Sequence, residues 1–261
     1  MTYQTINQFR AALKSGQICI GPSVSFSDPS VSDALADSVD FIWIETEHGG
    51  MSPEAVSGHL MACRARGKPG IVRLPGGGLA RVKPVLDSGA DGVIVPQIYT
   101  VEEVRQLVDD CRYPPVGHRG FGPRVPSDYF RHGTPDFVAR ANESVFVAVM
   151  IETKEAYEAI DEIVAVPGLD SVVIGPADLS WALGVNGNMD DPRLVKAMDA
   201  IIKAGRAAGI FVGCGMGPDA NFAFRMAKRG AQWLQVGVDC AILIQGFDQI
   251  TTTFKALWGN R

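Results

Sequence analysis

The sequence predicts an α/β protein folded as a single (β/α)8 barrel, the TIM-barrel architecture, across residues 1–261. Three observations carry this expectation. Eight short runs are nearly continuous in apolar residues, as parallel strands covered on both faces should be. Segments with helical hydrophobic spacing lie between them. No Gly/Pro/Ser-rich linker divides the 261 residues, an ordinary length for one such barrel.

The strand candidates, in order, are 18–26 (ICIGPSVSF), 40–47 (DFIWIETE), 70–75 (GIVRLP) and 92–97 (GVIVPQ), then 145–152 (VFVAVMIE), 171–176 (SVVIGP), 211–215 (FVGCG) and 233–238 (WLQVGV). Helical stripes are clearest at Val101, Val104, Leu107, Val108 and Cys111, and across 155–166 at Ala156, Ala159, Ile160, Ile163 and Val164. In SGADGVIVP, VPGLDSVVIGP and KRGAQWLQVG a glycine ends a helix and a short turn feeds the next strand. The rival is an open doubly wound sheet. Its G-x-G-x-x-G fingerprint is absent after the first strand, where the chain reads SFSDPSVSDAL. PGGGLARVK (75–83) lacks the Lys-Ser/Thr ending of a P-loop and reads as a tight βα turn. Residues 112–144, rich in Gly, Pro, Arg and aromatics, read as one long loop, and a loop of that length is expected to be functional.

Composition excludes several classes. A formal charge of −5 argues against nucleic acid or an anionic membrane as partner. The apolar runs are strand-length, and the N-terminus has neither the basic start nor the apolar core of a signal peptide, so a cytoplasmic protein is expected. Five widely spaced cysteines (Cys19, Cys63, Cys111, Cys214, Cys240) form no metal spacing and read as buried, reduced thiols.

In a barrel, chemistry sits at the C-terminal ends of the strands. There the sequence places Glu45, Glu47 and His48 at the end of strand two, Arg73 on strand three and Gln97 at the end of strand four. It also places Glu152 at the end of strand five and Asp178 after strand six. A period of two puts Phe146, Ala148, Met150 and Glu152 on the inner face, with Val147, Val149 and Ile151 facing the helices. Glu152 and Asp178 then suit a hard divalent cation that completes its octahedron with water or substrate oxygens. Asp178 could instead cap a helix beginning near LSWAL. Arg73 is either held by a structural carboxylate or aimed at a substrate carbonyl or carboxylate, which its planar fork fits. His48, close behind two carboxylates, is a candidate for proton transfer. His59 reads as a surface residue, and His118 and His132 as loop residues that either touch substrate or are solvated. No strand candidate contains a lysine, which disfavours Schiff-base chemistry.

Taken together, DFIWIETEHGGMSPEAV, VRLPGGGLARVKPVLDSGADGVIVPQI, YPPVGHRGFGP, VAVMIETKEAYEAIDEIVAVPGLDSVVIGPADLSWALG and WLQVGVD resemble the HpcH/HpaI aldolase/citrate lyase family of metal-dependent class II pyruvate aldolases. The resemblance implies Glu152 and Asp178 as metal ligands for Mg2+, Mn2+ or Co2+, and Arg73 as the contact to the pyruvate carbonyl oxygen. It implies the N–H groups of Ala177 and Asp178, beside Gly175, as the carboxylate site, and His48 as the acid/base. Glu47 falls behind the metal ligands. Substrates would be a small 2-oxo acid and an aldehyde, in a homo-trimer or homo-hexamer with C-terminal helices (247–259) exchanged between subunits. Two departures stand out. Glu45 occupies the position of an aspartate that orients the histidine, and Met150 that of a glutamine lining the site. The expected reaction is cleavage of a 4-hydroxy-2-oxo acid to pyruvate and an aldehyde, or its reverse. A lyase acting on a CoA thioester, with Arg119, Arg124 and Arg131 as a phosphate groove, an oxo-acid decarboxylase and a non-catalytic barrel are the alternatives.

Overall fold

The computed structural model describes residues 3–132 and 135–259. Its strands are β1 (Cys19–Val24), β2 (Ile42–Glu45), β3 (Gly70–Arg73), β4 (Gly92–Val95), β5 (Phe146–Ile151), β6 (Ser171–Ile174), β7 (Phe211–Met216) and β8 (Trp233–Val238). All pair in parallel with their sequence neighbours, and β1 pairs with β8 to close the barrel. The eight expected runs each contain one of these strands, β7 reaching one residue further, to Met216.

Strand alternation divides the apolar residues into two cores. On β5, Phe146, Ala148 and Met150 point into the barrel, while Val147, Val149 and Ile151 pack under the helices. Trp43, Ile71, Ile94, Val173 and Trp233 fill the rest of the interior. The N-terminal helix Gln4–Lys14 closes the barrel at the strand N-termini, burying Ile6, Phe9 and Leu13. The Phe9 ring meets Phe41, Phe146 and Trp233 edge-on, with centroids 5.6–6.2 Å away. Edge-to-face packing of this kind adds to the apolar area that burial removes from water. One end of the barrel is thus a packed floor, and the other is free for chemistry.

Three expectations about helices and loops need correction. The stripe at 155–166 is two short helices, Lys154–Glu158 and Ile160–Val164, broken at Ala159 (φ −95°, ψ 14°). The supposed loop 112–144 ends in a helix, Pro135–Ser144. The remainder connects the helix Val101–Cys111 to the start of β5, which puts it beside the floor of its own barrel. There Arg119 donates to Asp87 at 2.6 Å, and Tyr113 packs near Phe137. His59, expected at the surface, is fully buried. Its two ring nitrogens meet Ser32 Oγ (2.7 Å) and the Phe26 carbonyl (2.9 Å), so burial leaves neither without a partner.

Glycine-rich 75–83 is a βα turn, as expected. Gly76 (φ 146°) and Gly78 (φ 103°) take up conformations that L side chains rarely adopt, and the helix Leu79–Asp87 follows. All five cysteines are free, and four are buried.

Truncating the floor should be costly at a distance from any chemistry. Phe9→Ala is expected to lower stability by about 3–5 kcal/mol, the usual range for a buried phenylalanine. Equilibrium urea unfolding would measure it.

Candidate active site

The inward faces of the strands carry hydrophobic residues one step below the rim and polar ones at it. Trp43 is followed by Glu45, Ile71 by Arg73, Met150 by Glu152, and Val173 by Gly175. The period of two therefore delivers these groups to one mouth.

Glu45 and Arg73 are opposite each other in the β2–β3 register. Arg73 Nε donates to Glu45 Oε2 at 2.7 Å, and Nη2 lies 2.5 Å from the same oxygen. The Trp43 indole N–H also donates to Oε2, at 3.3 Å, and the guanidinium stands 5.5 Å over that ring. Glu45 Oε1 accepts the backbone N–H groups of Glu47 (2.7 Å) and His48 (3.1 Å). The expectation that Glu45 orients the His48 imidazole is therefore corrected. The register brings its carboxylate to Arg73, and it holds only the backbone of His48. The imidazole is largely exposed, at 69% of its side chain, and its Nε2 lies 3.6 Å from Glu47 Oε2.

Arg73 has two further neighbours. Its Nη1 is 2.9 Å from Glu47 Oε2, but too far out of line for a hydrogen bond, so that oxygen is buried without a donor. The same Nη1 points to Met150 Sδ at 3.7 Å. Of the two readings of Arg73, the structural one holds through Glu45. It leaves the Nη1 edge beside Glu47 and Met150. Burial raises the Glu47 carboxyl above the usual carboxylate range, although Arg73 and His48 oppose this.

Glu152 is 3% exposed. Its Oε1 accepts the Gln97 backbone N–H at 2.8 Å and the Gln97 side-chain amide at 3.2 Å. Gly175 explains the room for Oε2: a Cβ there would lie 2.4 Å from that oxygen. Burial pushes the Glu152 carboxyl up to about 7, and the charges of Asp178 and Glu47 push the same way. Asp178 lies in the first turn of the helix Pro176–Ala182, which starts earlier than the LSWAL cap reading expected and is headed by Gly175. Asp178 and Ala177 are exposed, and as first-turn residues their N–H groups have no intrahelical acceptor.

This donor set fits a hard divalent cation. No group of three or more His, Cys, Asp or Glu that could hold a metal occurs among the described residues. Two carboxylates completed by water and substrate oxygens are, however, sufficient for such an ion. Glu152 and Asp178 repel each other, and Arg73, the cation whose charge acts on Glu152 among the described residues, is taken up by Glu45.

Other expected residues do not converge here. Arg119 is buried against Asp87 and the Tyr113 ring, Arg131 pairs with Asp128, and Arg124 stacks on Tyr129. They form no groove at the mouth for CoA phosphates. His118 bonds Asp110 at 2.7 Å, and His132 is exposed. Two residues went unremarked in the sequence. Tyr99 donates to Gln97 Oε1 at 3.1 Å. Asp239, immediately after β8, accepts from Ser25 and from the Phe26 N–H, tying the loop after β1 to the rim. Position after a strand was the available signal for both.

The HpcH/HpaI aldolase/citrate lyase family model matches residues 24–246, which spans all the strand ends just described except the start of β1. The chain belongs to this family. It is 36% identical over 244 residues to a hydroxypyruvate/pyruvate aldolase of Roseovarius nubinhibens, covering 92% of this chain and 93% of that protein. It is 33% identical to a 2-keto-3-deoxy-L-rhamnonate aldolase of Salmonella gallinarum, covering 96% and 94% of the two chains. The crystal structure of an HpcH/HpaI aldolase from Desulfitobacterium hafniense superposes with a TM-score of 0.89 at 28% identity, covering 94% of this chain and 96% of that one.

For this HpcH/HpaI family member, the raised Glu152 sets a pH dependence. The folded state holds the Glu152 proton more tightly than the unfolded chain, whose carboxyl titrates near 4.5. Without divalent cations, stability should therefore fall as pH rises from about 4.5 through about 7, by on the order of 3 kcal/mol. Glu152→Gln should remove that part of the fall. Urea unfolding in EDTA between pH 4.5 and 8, with wild type and variant compared, measures it.

Proposed function

We propose that the chain is a divalent-metal-dependent class II aldolase that cleaves a 4-hydroxy-2-oxo acid to pyruvate and an aldehyde, and catalyses the reverse addition. The observation that carries this reading is the meeting of Glu152, Asp178 and Arg73 at one barrel mouth. The aldolase names of the relatives in Roseovarius and Salmonella support the same reaction class.

Glu152 and Asp178 would hold the cation, Mg2+, Mn2+ or Co2+, which supplies Lewis acidity to the 2-oxo group. The chain's own residues do the rest. Arg73, fixed by Glu45 through Nε and Nη2, presents its Nη1 edge to the oxygen that becomes the enolate oxygen. The N–H groups of Ala177 and Asp178, with the Gly175 backbone giving access, hold the 2-oxo acid carboxylate. His48 accepts the C4 hydroxyl proton as the C3–C4 bond breaks and its electron pair passes to C3. C4 leaves as the aldehyde carbonyl, and protonation at C3 yields pyruvate. The exposure of His48 suits a base that meets substrate arriving from solvent. Glu47 lies beside both His48 and Arg73, where it orients the imidazole in place of Glu45. Met150 leaves a thioether where an amide would hydrogen-bond, which favours a less polar acceptor aldehyde.

The 1–261 chain would act as one barrel domain in a homo-trimer or homo-hexamer. The C-terminal helix Asp239–Gly259 supports this: it buries only Asp239 and exposes Leu243, Ile244, Phe247, Ile250, Phe254 and Leu257. Packing against a second copy would remove this surface from water. The outer face of β1 also leaves Ile20 exposed. No helix among the described residues is long and apolar enough to cross a membrane. Five unpaired cysteines support a reducing, cytoplasmic setting.

Pyruvate C3 proton exchange in D2O, followed by NMR, tests enolate formation without knowledge of the aldehyde. Exchange should require Mg2+, Mn2+ or Co2+ and vanish in Glu152→Ala. Arg73→Ala should slow it about 100-fold or more, as loss of one preorganised oxyanion partner does. Exchange that is absent with every metal, despite bound metal and pyruvate, would sink the aldolase reading. For assembly, light scattering should give a trimer or hexamer, and Leu243→Asp combined with Phe247→Asp should yield smaller species.

A further inference from the structure

We infer that Gln97 is a positioning residue for Glu152, turning one carboxylate oxygen inward and leaving the other for the cation. The inference rests on the metal reading above. β4 ends at Val95, and Pro96 disfavours a helical conformation at that residue, so the strand is not continued as helix. Gln97 then takes a left-handed backbone conformation (φ 52°), uncommon for a residue with a side chain. Such a conformation persists only where the surroundings enforce it. Here it turns the Gln97 N–H onto Glu152 Oε1 at 2.8 Å, and the side-chain amide reaches the same oxygen at 3.2 Å. The amide is itself anchored, since the Tyr99 hydroxyl donates to Gln97 Oε1 at 3.1 Å.

Both donors fall on one oxygen. Glu152 Oε2 receives no hydrogen bond among the described residues and lies over Gly175, the position where a Cβ would come within 2.4 Å of it. The carboxylate is therefore gripped on one side and open on the other. A ligand held this way loses little rotamer freedom on binding an ion, and groups that orient a metal ligand commonly govern affinity by tenfold or more. Tyr99, half exposed, carries the chain of contacts from Glu152 out to the rim.

Titrating Mn2+ into the full-length protein, with free Mn2+ counted by electron paramagnetic resonance, tests this without turnover. Two variants separate the amide from the backbone. Gln97→Met keeps the size of the side chain and removes the amide. Gln97→Gly also removes it, but suits the left-handed backbone and keeps the N–H. Both should weaken Mn2+ binding about tenfold with an unchanged melting temperature for the metal-free protein. Tyr99→Phe, which releases the amide, should weaken it about threefold. If wild type binds Mn2+ and the Met and Gly variants match it, Gln97 acts only as part of the loop and the inference is wrong. A wild type that binds no Mn2+ overturns the metal reading itself, and the role of Gln97 with it.

Discussion

The site depends on one buried pair, Glu45 and Arg73, held opposite each other by the register of β2 and β3. A charge taken out of water must be met by partners, and here it is met fully on the carboxylate side. Glu45 accepts from an indole, a guanidinium and two backbone amides. Those two amides belong to Glu47 and His48, so the carboxylate that fixes Arg73 through one oxygen fixes the turn carrying His48 through the other. Remove the carboxylate, and both the Arg73 guanidinium and the turn lose their anchor. One extra methylene relative to an aspartate is what the longer reach toward Arg73 uses.

That pairing also determines the charge left over at the mouth. Glu47, Glu152 and Asp178 remain, with Arg73 already engaged. Burial raises the proton affinity of Glu47 and Glu152, and the charges of neighbouring carboxylates push the same way. An excess of negative charge, in a place with few compensating donors, is relieved by a proton or by a cation. The floor of the barrel is what permits such a mouth. Phe9, Phe41, Phe146 and Trp233 pack the strand N-termini, so stability is secured at the end where no chemistry occurs.

What the sequence made legible follows a physical rule. Period-two alternation is local, so the inward face of β5 and the delivery of Glu152 to the mouth could be read from the seven residues 146–152. The eight strands came from a different local signal, short runs nearly continuous in apolar residues. Pairings across strands depend on register, which no local pattern specifies. The resemblance paired Glu45 with the imidazole three residues away, whereas its partner lies 28 residues on. His59 looked like a surface histidine because Ser32 and the Phe26 carbonyl, which make its burial tolerable, belong to other elements. The segment 112–144 was judged by its length and composition, but its place in the fold follows from connectivity. It leads into a strand, not out of one, and so joins the floor.

The division between buried and exposed groups at the mouth bears on which part of the chemistry is fixed. Glu45, Arg73 and Glu152 stand on or directly after strands and are buried or nearly so. Rotamers there are set by packing and by several hydrogen bonds each, which is what a site needs to hold one nucleophile in one geometry. His48, Tyr99, Ala177 and Asp178 lie on the loops and on the first turn of a helix, largely in solvent. Substitution at the rim costs little stability, since few buried contacts depend on it. A barrel arranged in this way keeps the enolate-forming half constant while the rim is free to change the aldehyde. Met150 sits at the boundary: it lies on a strand and contacts Arg73, yet offers only a thioether to what enters above it. On the proposed reading, selection of the acceptor begins on the inner wall of β5 and is completed by the loops above it.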